Sequence, residues 1–189
     1  MKLKNSYFYT IRENIKDEDS ISGNLLVRAG MLKKTSSGIY MFMPLGYKVL
    51  ENIRKIIKEE MDNAGASELL MPALISADYY AKSNRLDAFG KDMFRLNDRF
   101  NKNYCLGPTH EELFTIAAKC KVNSYSDLPF TLYQIQTKFR DEPRPRYGLI
   151  RVREFLMKDA YSFDKDEKGL EDSYNTMYNA YKKIFGRLS

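Results

Sequence analysis

Phe139-Arg140-Asp141-Glu142 ends one run of alternating side chains, and Arg151-Val152-Arg153-Glu154-Phe155 belongs to the next. The loop 143–148 between them is basic and carries proline and glycine at turn positions. Residues 131–142 alternate as a strand does, and residues 149–163 are the expected return. We therefore predict a long antiparallel β-hairpin whose loop projects outward.

The segments before this hairpin alternate between helix and strand patterns. Residues 46–64 carry apolar side chains at three- and four-residue intervals, and Gly65 stands where a helix stop is expected. An apolar strand that ends at Pro72 and a second hairpin over 93–106 follow. Gly107 then opens a turn and a helix. Strand and helix runs of this kind favour an α+β fold, an antiparallel sheet backed by helices.

The last segment, residues 167–188, predicts an amphipathic helix. Its expected inward face consists of Leu170, Tyr174, Met177, Tyr178, Tyr181, Ile184 and Phe185. No repeat or linker divides the sequence, so we expect one domain over residues 1–189.

Composition and charge restrict the classes of function. The chain has 189 residues, 43% hydrophobic and 30% charged, which is typical of a globular domain. No run approaches the ~18 apolar residues of a membrane span, and residues 1–5 are a basic start with no apolar core behind it, unlike a secretory signal, so we expect a cytoplasmic location and no membrane partner. A formal net charge of +6 permits a polyanionic partner such as RNA.

Two cysteines and one histidine are the possible soft metal ligands. Cys105, Cys120 and His110 lack the paired spacing of a zinc site, and we expect no metal there. The cysteines are predicted to be small apolar residues, Cys105 in a strand and Cys120 at a helix end. His110 has no nucleophile motif beside it and is expected to be structural.

The hairpin carries groups that suit a nucleotide. Arg140 and Glu142 are two apart on a predicted strand and share a face, as do Arg151 and Phe155 on the return. A guanidinium can bind a phosphate, a carboxylate can accept from an adenine amino group, and a phenyl ring can stack on a base. A structural salt bridge for Arg140 and Glu142, and core packing for Phe155, remain the alternatives.

The turn 107–112 has two interpretations. Thr109 and Glu112 have the spacing of a capping box, with the acids near the positive end of a helix dipole. Alternatively, Thr109 and Glu111 face a cleft, where a hydroxyl and a carboxylate would hold a substrate ammonium or imino cation.

These segments resemble the N-terminal catalytic part of bacterial-type prolyl-tRNA synthetases, which are class II aminoacyl-tRNA synthetases. The resemblance runs almost from end to end and is most specific in Gly107-Pro108-Thr109-His110-Glu111-Glu112 and in Arg153-Glu154-Phe155-Leu156-Met157-Lys158-Asp159-Ala160-Tyr161-Ser162-Phe163. It implies the class II fold. The helix from Gly46 and the strand to Pro72 resemble motif 1, the homodimer interface of the family, and residues 139–155 resemble motif 2.

The resemblance also implies a role for individual residues. Arg140 would bridge the ATP α-phosphate and the proline carboxylate, and three further residues would bind ATP, namely Glu142 at the adenine amino group, Arg151 at the terminal phosphates and Phe155 on the adenine ring. Four would serve proline, namely Thr109 and Glu111 at the prolyl nitrogen and Met157 and Asp159 in the pocket wall. Two in the motif 2 loop, Arg144 and Arg146, would approach the acceptor end of tRNA(Pro).

ATP with Mg²⁺ is then the expected substrate complex, without a structural metal in the protein. The family's editing insertion, motif 3 and anticodon-binding domain have no counterpart in residues 1–189, so very weak or absent proline activation is expected of this chain alone. A non-catalytic synthetase-like paralogue that acts in dimerisation or RNA binding is the alternative. A threonyl or other class IIa relative is a third option, but a threonyl enzyme would need zinc ligands that the sequence does not offer.

Overall fold

A computed structural model describes residues 5–16, 18 and 20–189 of the chain. Residues 1–4, at the start of the segment considered for a secretory signal, lie outside this range. The helices are α1 Ile21–Arg28, α2 Pro44–Asn63, α3 Ala77–Lys82, α4 Arg85–Phe89, α5 Glu111–Lys121 and α6 Glu167–Leu188. The strands are β1 Leu32–Ser36, β2 Ile39–Phe42, β3 Ser67–Glu68, β4 Leu74–Ser76, β5 Arg95–Asn97, β6 Asn103–Leu106, β7 Phe130–Phe139 and β8 Glu154–Phe163.

The long hairpin is confirmed as β7 and β8. The two strands pair antiparallel over their whole length, from Phe130 opposite Phe163 to Phe139 opposite Glu154. The pairing ends earlier than predicted, however, so Arg140 lies beyond β7 and Arg151 lies before β8. Prolines in the loop cannot donate to a ladder, and the pairing continues beyond β7 through the hydrogen bond from the Arg140 N–H to the Arg153 carbonyl at 2.9 Å and an isolated bridge between Arg146 and Arg151.

The described strands form three small sheets rather than one antiparallel sheet. These are β1–β2, β4–β6–β5 and β3–β7–β8, and β3 runs parallel to β7. The second predicted hairpin, over 93–106, is confirmed as β5 and β6.

The predicted strand up to Pro72 is mostly wrong, because β3 ends at Glu68. Beyond it, glutamine side chains of β7 take the place of a ladder. The Met71 backbone N–H donates to Gln134 Oε1 at 3.2 Å, and Gln136 Nε2 donates to the Met71 carbonyl at 2.6 Å. The segment is thereby held beside β7 without forming a strand.

Helix α2 begins two residues earlier than predicted, with Pro44 in its first turn. Gly65, at a φ of +78°, follows its end as predicted. Gly46 permits a close approach, since a Cβ there would lie 2.1 Å from the Met31 carbonyl oxygen. At the other end, Arg187 of α6 contacts two carboxylates of α2, Glu59 at 2.6 Å and Glu60 at 2.7 Å.

Helix α6 has the predicted bounds, but the predicted inward face is too wide. Ala180 and Ile184 are its buried residues, and Met177 packs against the core cluster of Met61, Ala66, Tyr133 and Ile135. Five of the residues expected to face inward are exposed, namely Leu170, Tyr174, Tyr178, Tyr181 and Phe185. A single helix that lies on α2 and β8 can bury only a narrow stripe, and the rest of the apolar band remains in solvent. Within residues 5–16, 18 and 20–189, none of the helices combines the length and the apolar content of a membrane span.

Candidate active site

One face of β8 carries three of the predicted site residues. Phe155, Met157, Asp159 and Tyr161 alternate along the strand, so they point to the same side of the sheet. The first two are half-buried, and Asp159 is buried. Opposite them on β7 lie Lys138 beside Phe155, Gln136 beside Met157 and Gln134 beside Asp159.

The turn 107–112 reaches this face at the loop end of the hairpin, where β7 ends and β8 begins. The Phe139 backbone N–H donates to the Gly107 carbonyl at 3.1 Å. The Arg140 guanidinium carbon lies 5.4 Å from the centre of the Phe155 ring, and its Nη2 donates to the Pro108 carbonyl at 3.5 Å. Arg140 therefore lies between the predicted base-stacking ring and the turn that carries Thr109.

The turn is held by tyrosines rather than by a capping box. His110 is the N-cap residue of α5 and makes no side-chain cap hydrogen bond. The Thr109 hydroxyl instead lies 3.0 Å from the Tyr161 hydroxyl, and Tyr80 donates to the Thr109 carbonyl at 2.6 Å. The capping box predicted for Thr109 and Glu112 is therefore wrong, because tertiary contacts engage the threonine.

The two acids of the turn share an arginine. Arg85 Nη1 lies 2.5 Å from a carboxylate oxygen of Glu111 and 3.2 Å from one of Glu112. Glu112 also accepts from the Ser83 hydroxyl at 2.9 Å. More than half of the Glu111 side chain is exposed, whereas that of Glu112 is almost covered. Glu111 is thus the acid of this pair that a ligand can reach.

A buried charged network lies beneath the turn. Lys138 and His110 have no exposed surface, and Lys138 Nζ lies 3.0 Å from Asp159 Oδ1 and 2.5 Å from His110 Nδ1. His110 Nε2 lies 3.0 Å from the Pro72 carbonyl, which can only accept. His110 is therefore the Nε2–H tautomer, with Nδ1 accepting from Lys138.

Burial determines the charge of the histidine. Removal from water lowers the pKa of His110, and the nearby Lys138 charge lowers it further. Burial also lowers the pKa of Lys138, and the hydrogen bond to Asp159 opposes that shift. The network thus holds a neutral imidazole beside a lysine–aspartate ion pair, in agreement with the structural role predicted for His110.

Two of the predicted nucleotide-binding residues, Glu142 and Arg151, form an ion pair with each other. Arg151 Nε lies 2.7 Å from Glu142 Oε2, and the Arg144 backbone N–H donates to Glu142 Oε1 at 3.0 Å. The hydrogen bond from Arg151 is the main cause that lowers the pKa of Glu142, followed by the Arg144 N–H. Glu142 is therefore a carboxylate whose partners are a cation and a backbone donor, and hydrogen-bond donors of a ligand can replace them.

The remaining predicted positions lie in the loop or away from the site. Arg144 and Arg146 are exposed in the loop, and the Arg146 guanidinium carbon lies 5.0 Å from the Tyr147 ring centre. Among the described residues, no group of three or more His, Cys, Asp or Glu side chains is arranged to hold a metal ion. As predicted, Cys105 lies in a strand, β6, where it is buried, and Cys120 lies at the end of a helix, α5, where it is exposed.

Sequence reasoning missed Lys138, Gln134 and Tyr161 as parts of the site. The signal was present in β7, where a lysine and two glutamines occupy alternate positions of a central strand. Buried polar side chains on such a face require partners, which the turn and β8 supply here.

Comparison with known proteins identifies the family to which the chain belongs. Residues 94–189, just over half of the chain, match the model of the tRNA synthetase class II core domain (G, H, P, S and T). The chain belongs to this class II synthetase family. The matched residues contain the 107–112 turn, β7, the loop and β8, which are the elements that build the site.

Curated relatives indicate which class II synthetases the chain resembles. The chain is 53% identical over 188 residues to Proline--tRNA ligase of Oleidesulfovibrio alaskensis and 52% identical over 187 residues to that of Caldicellulosiruptor bescii. These alignments cover 100% and 99% of this chain but 33% of each relative. The chain thus spans about a third of the length of these relatives, and its resemblance to prolyl-tRNA synthetases is confirmed.

Solved structures confirm the class II fold. A structure of Giardia lamblia prolyl-tRNA synthetase in complex with prolyl-adenylate matches with a TM-score of 0.78 at 24% identity, over 85% of this chain and 34% of that one. Prolyl-tRNA synthetase from Cryptosporidium parvum, complexed with L-proline and AMP, matches with a TM-score of 0.76 at 17% identity, over 94% and 38%. At these identities the likeness concerns the fold alone.

Proposed function

We propose that residues 1–189 are the N-terminal part of the catalytic domain of a proline–tRNA ligase, which activates proline with ATP to prolyl-adenylate and transfers it to tRNA(Pro). The observation that carries the proposal is the shared face of β8. Phe155 and Arg140 lie at its end nearest the loop 143–148, and Thr109 and Asp159 lie farther along it. An adenine site and an amino-acid site are thereby adjacent, as adenylate formation requires.

The nucleotide half of the site uses the hairpin. Adenine would stack on Phe155, and its amino group would donate to Glu142. Arg140 would bind the α-phosphate and Arg151 the terminal phosphates, where planar guanidinium groups match phosphate oxygens. The Glu142–Arg151 pair at 2.7 Å would then open, because each partner exchanges the other for a group of the nucleotide.

The amino-acid half uses the turn and β8. Glu111 and Thr109 would hold the two N–H groups of the prolyl nitrogen, while Arg140 binds the proline carboxylate. Met157 and Asp159 would line the wall around the pyrrolidine ring. The polarizable thioether of Met157, half-buried on β8, suits an apolar ring of this size.

The reaction itself requires alignment rather than a general base. A proline carboxylate is anionic at neutral pH and attacks the α-phosphorus, a new C–O–P link forms, and the bond to the leaving pyrophosphate breaks. Arg140 would neutralise charge that builds on the α-phosphate oxygens. Mg²⁺ would enter with ATP and neutralise its phosphates as part of the substrate complex.

Further contacts follow from the same proposal. Arg144 and Arg146, exposed in the loop, would meet the acceptor end of tRNA(Pro) through its phosphates. Helix α2 and the segment up to Pro72 would form the homodimer interface. The proposed enzyme would act in the cytoplasm, and its remaining catalytic, editing and anticodon-binding segments would belong to the two thirds of the relatives that this chain does not cover.

An exchange assay tests the proposed activity. The full-length protein that carries this sequence should catalyse ATP–pyrophosphate exchange with proline and should not do so with threonine, glycine, serine or histidine at the same concentration. The 189-residue chain by itself should show very weak or no exchange. Exchange that is absent from the full-length protein, while the folded chain still binds tRNA or dimerises, would instead support the non-catalytic module.

The role of Glu111 is tested by an isosteric change. In the full-length enzyme, Glu111→Gln should raise the KM for proline by roughly tenfold or more, because it removes the charge that faces the prolyl nitrogen. The KM for ATP should change little. Glu112→Gln is the matched control, since Glu112 shares Arg85 but is largely covered. Equal effects of Glu111→Gln on the two substrates would contradict the assignment.

A further inference from the structure

Both the backbone carbonyl and the side-chain hydroxyl of Thr109 have hydrogen-bond partners in the protein. Its carbonyl accepts from Tyr80, and its hydroxyl lies 3.0 Å from the Tyr161 hydroxyl. Tyr161 in turn donates to Asp159 Oδ2 at 3.4 Å, and Lys138 donates to the same oxygen at 3.1 Å. A continuous chain of polar contacts therefore runs from Lys138 through Asp159 and Tyr161 to Thr109.

The charge of Asp159 determines which groups donate and which accept in this series of hydrogen bonds. Asp159 is ion-paired with Lys138, and a carboxylate can only accept hydrogen bonds. With the single proton of the Tyr161 hydroxyl on Asp159 Oδ2, the tyrosine oxygen is left to accept from Thr109. Burial raises the pKa of Tyr161, which keeps its hydroxyl protonated and able to donate at neutral pH. The Thr109 proton is then committed to Tyr161.

We propose that Tyr161 is a positioning residue of the amino-acid site, which takes the Thr109 proton and leaves the Thr109 oxygen as an acceptor only. The proposal rests on the proposed function. An acceptor at this position favours a ligand with an N–H donor, such as the protonated secondary amine of proline, over a ligand of the same shape with a ring oxygen. Tyr161 thus contributes to substrate discrimination without touching the substrate.

A purely structural role for Tyr161 makes a different prediction. Its ring packs on Phe114 with the ring centres 4.5 Å apart, and a phenylalanine would retain that contact. If packing were the whole role, Tyr161→Phe would affect all ligands alike. If the hydroxyl orients Thr109, its loss frees the Thr109 proton, which can then point toward the ligand.

The test compares two ligands in the full-length enzyme. Tyr161→Phe should raise the KM for proline roughly tenfold, with little change in the KM for ATP. Inhibition by tetrahydrofuran-2-carboxylate, in which oxygen replaces the ring nitrogen, should stay the same or become tighter, because the freed Thr109 hydroxyl can donate to that oxygen. Weaker use of proline without weaker inhibition by the oxygen analogue is the expected signature.

Tyr133→Phe is the matched control. Tyr133 is fully buried in the same sheet, but its hydroxyl donates to Asp62 of α2 at 2.6 Å, away from the site. A second variant, Thr109→Val, closes a double-mutant cycle, and in that background Tyr161→Phe should have no further effect on proline.

Three outcomes distinguish the hypotheses. If the wild type is active and Tyr161→Phe behaves like Tyr133→Phe, the role of Tyr161 is overturned. The same holds if Tyr161→Phe weakens the binding of proline and of the oxygen analogue equally. A full effect of Tyr161→Phe that persists in the Thr109→Val background would overturn its action through Thr109. A wild type without proline-dependent exchange would instead reject the proposed function itself.

Discussion

Replacing Arg140 by alanine in the full-length enzyme is expected to lower kcat for proline-dependent ATP–pyrophosphate exchange by about 100- to 1,000-fold. The guanidinium lies between the Phe155 ring and the Pro108 carbonyl, at the junction of the two half-sites. From there it would contact the α-phosphate and the proline carboxylate at once. Its loss removes both the alignment of the reacting atoms and the neutralisation of charge in the transition state.

Two variants separate this effect from a general loss of positive charge. Arg140→Lys retains the charge but not the planar pair of donors, so most of the defect should remain. Arg99→Ala removes an exposed arginine from the turn between β5 and β6 and should leave exchange close to that of the wild type. Near-normal exchange in Arg140→Ala would remove Arg140 from the mechanism.

Lys138→Met should produce the largest loss of stability among the changes considered. Lys138 is fully buried, and its removal leaves Asp159 as a buried carboxylate without its cation. Breaking a buried pair in this way costs about 3–5 kcal/mol in free energy of unfolding. Urea denaturation of the 189-residue chain, followed by circular dichroism, would measure the change.

The double variant Lys138→Met with Asp159→Asn provides the decisive comparison. It removes both charges, so it should recover a substantial part of the lost stability, which a cavity or packing defect would not allow. Lys183→Met, on the exposed side of α6, should change stability by no more than about 0.5 kcal/mol. A small effect of Lys138→Met would show that the buried pair contributes little to the fold.

The sequence was sufficient where one segment determines its own structure. The bounds of α6 follow directly from apolar spacing, and Gly65 marks the end of α2 because a residue at positive φ suits glycine. The hairpin of β7 and β8 follows from alternating side chains on both sides of a proline-containing loop. Such patterns are local, so they need no knowledge of the rest of the chain.

The sequence was insufficient where a residue's partner comes from a distant segment. Thr109 has the spacing of a helix cap, yet Tyr161, 52 residues away, holds its hydroxyl. Met71 has the pattern of a strand residue, yet the side chain of Gln134 accepts from its backbone N–H. In both cases a hydrogen bond to a distant side chain replaces the backbone hydrogen bond that the pattern predicted.

The sequence by itself determined the family resemblance, the long hairpin and the identity of the residues proposed to bind ATP and proline. Only the tertiary structure showed that Lys138, fully buried, joins His110 of the turn to Asp159 of β8. The physical reason is that spacing along a strand specifies which face a side chain occupies, whereas a buried charge must find a partner wherever the fold brings one within hydrogen-bond distance.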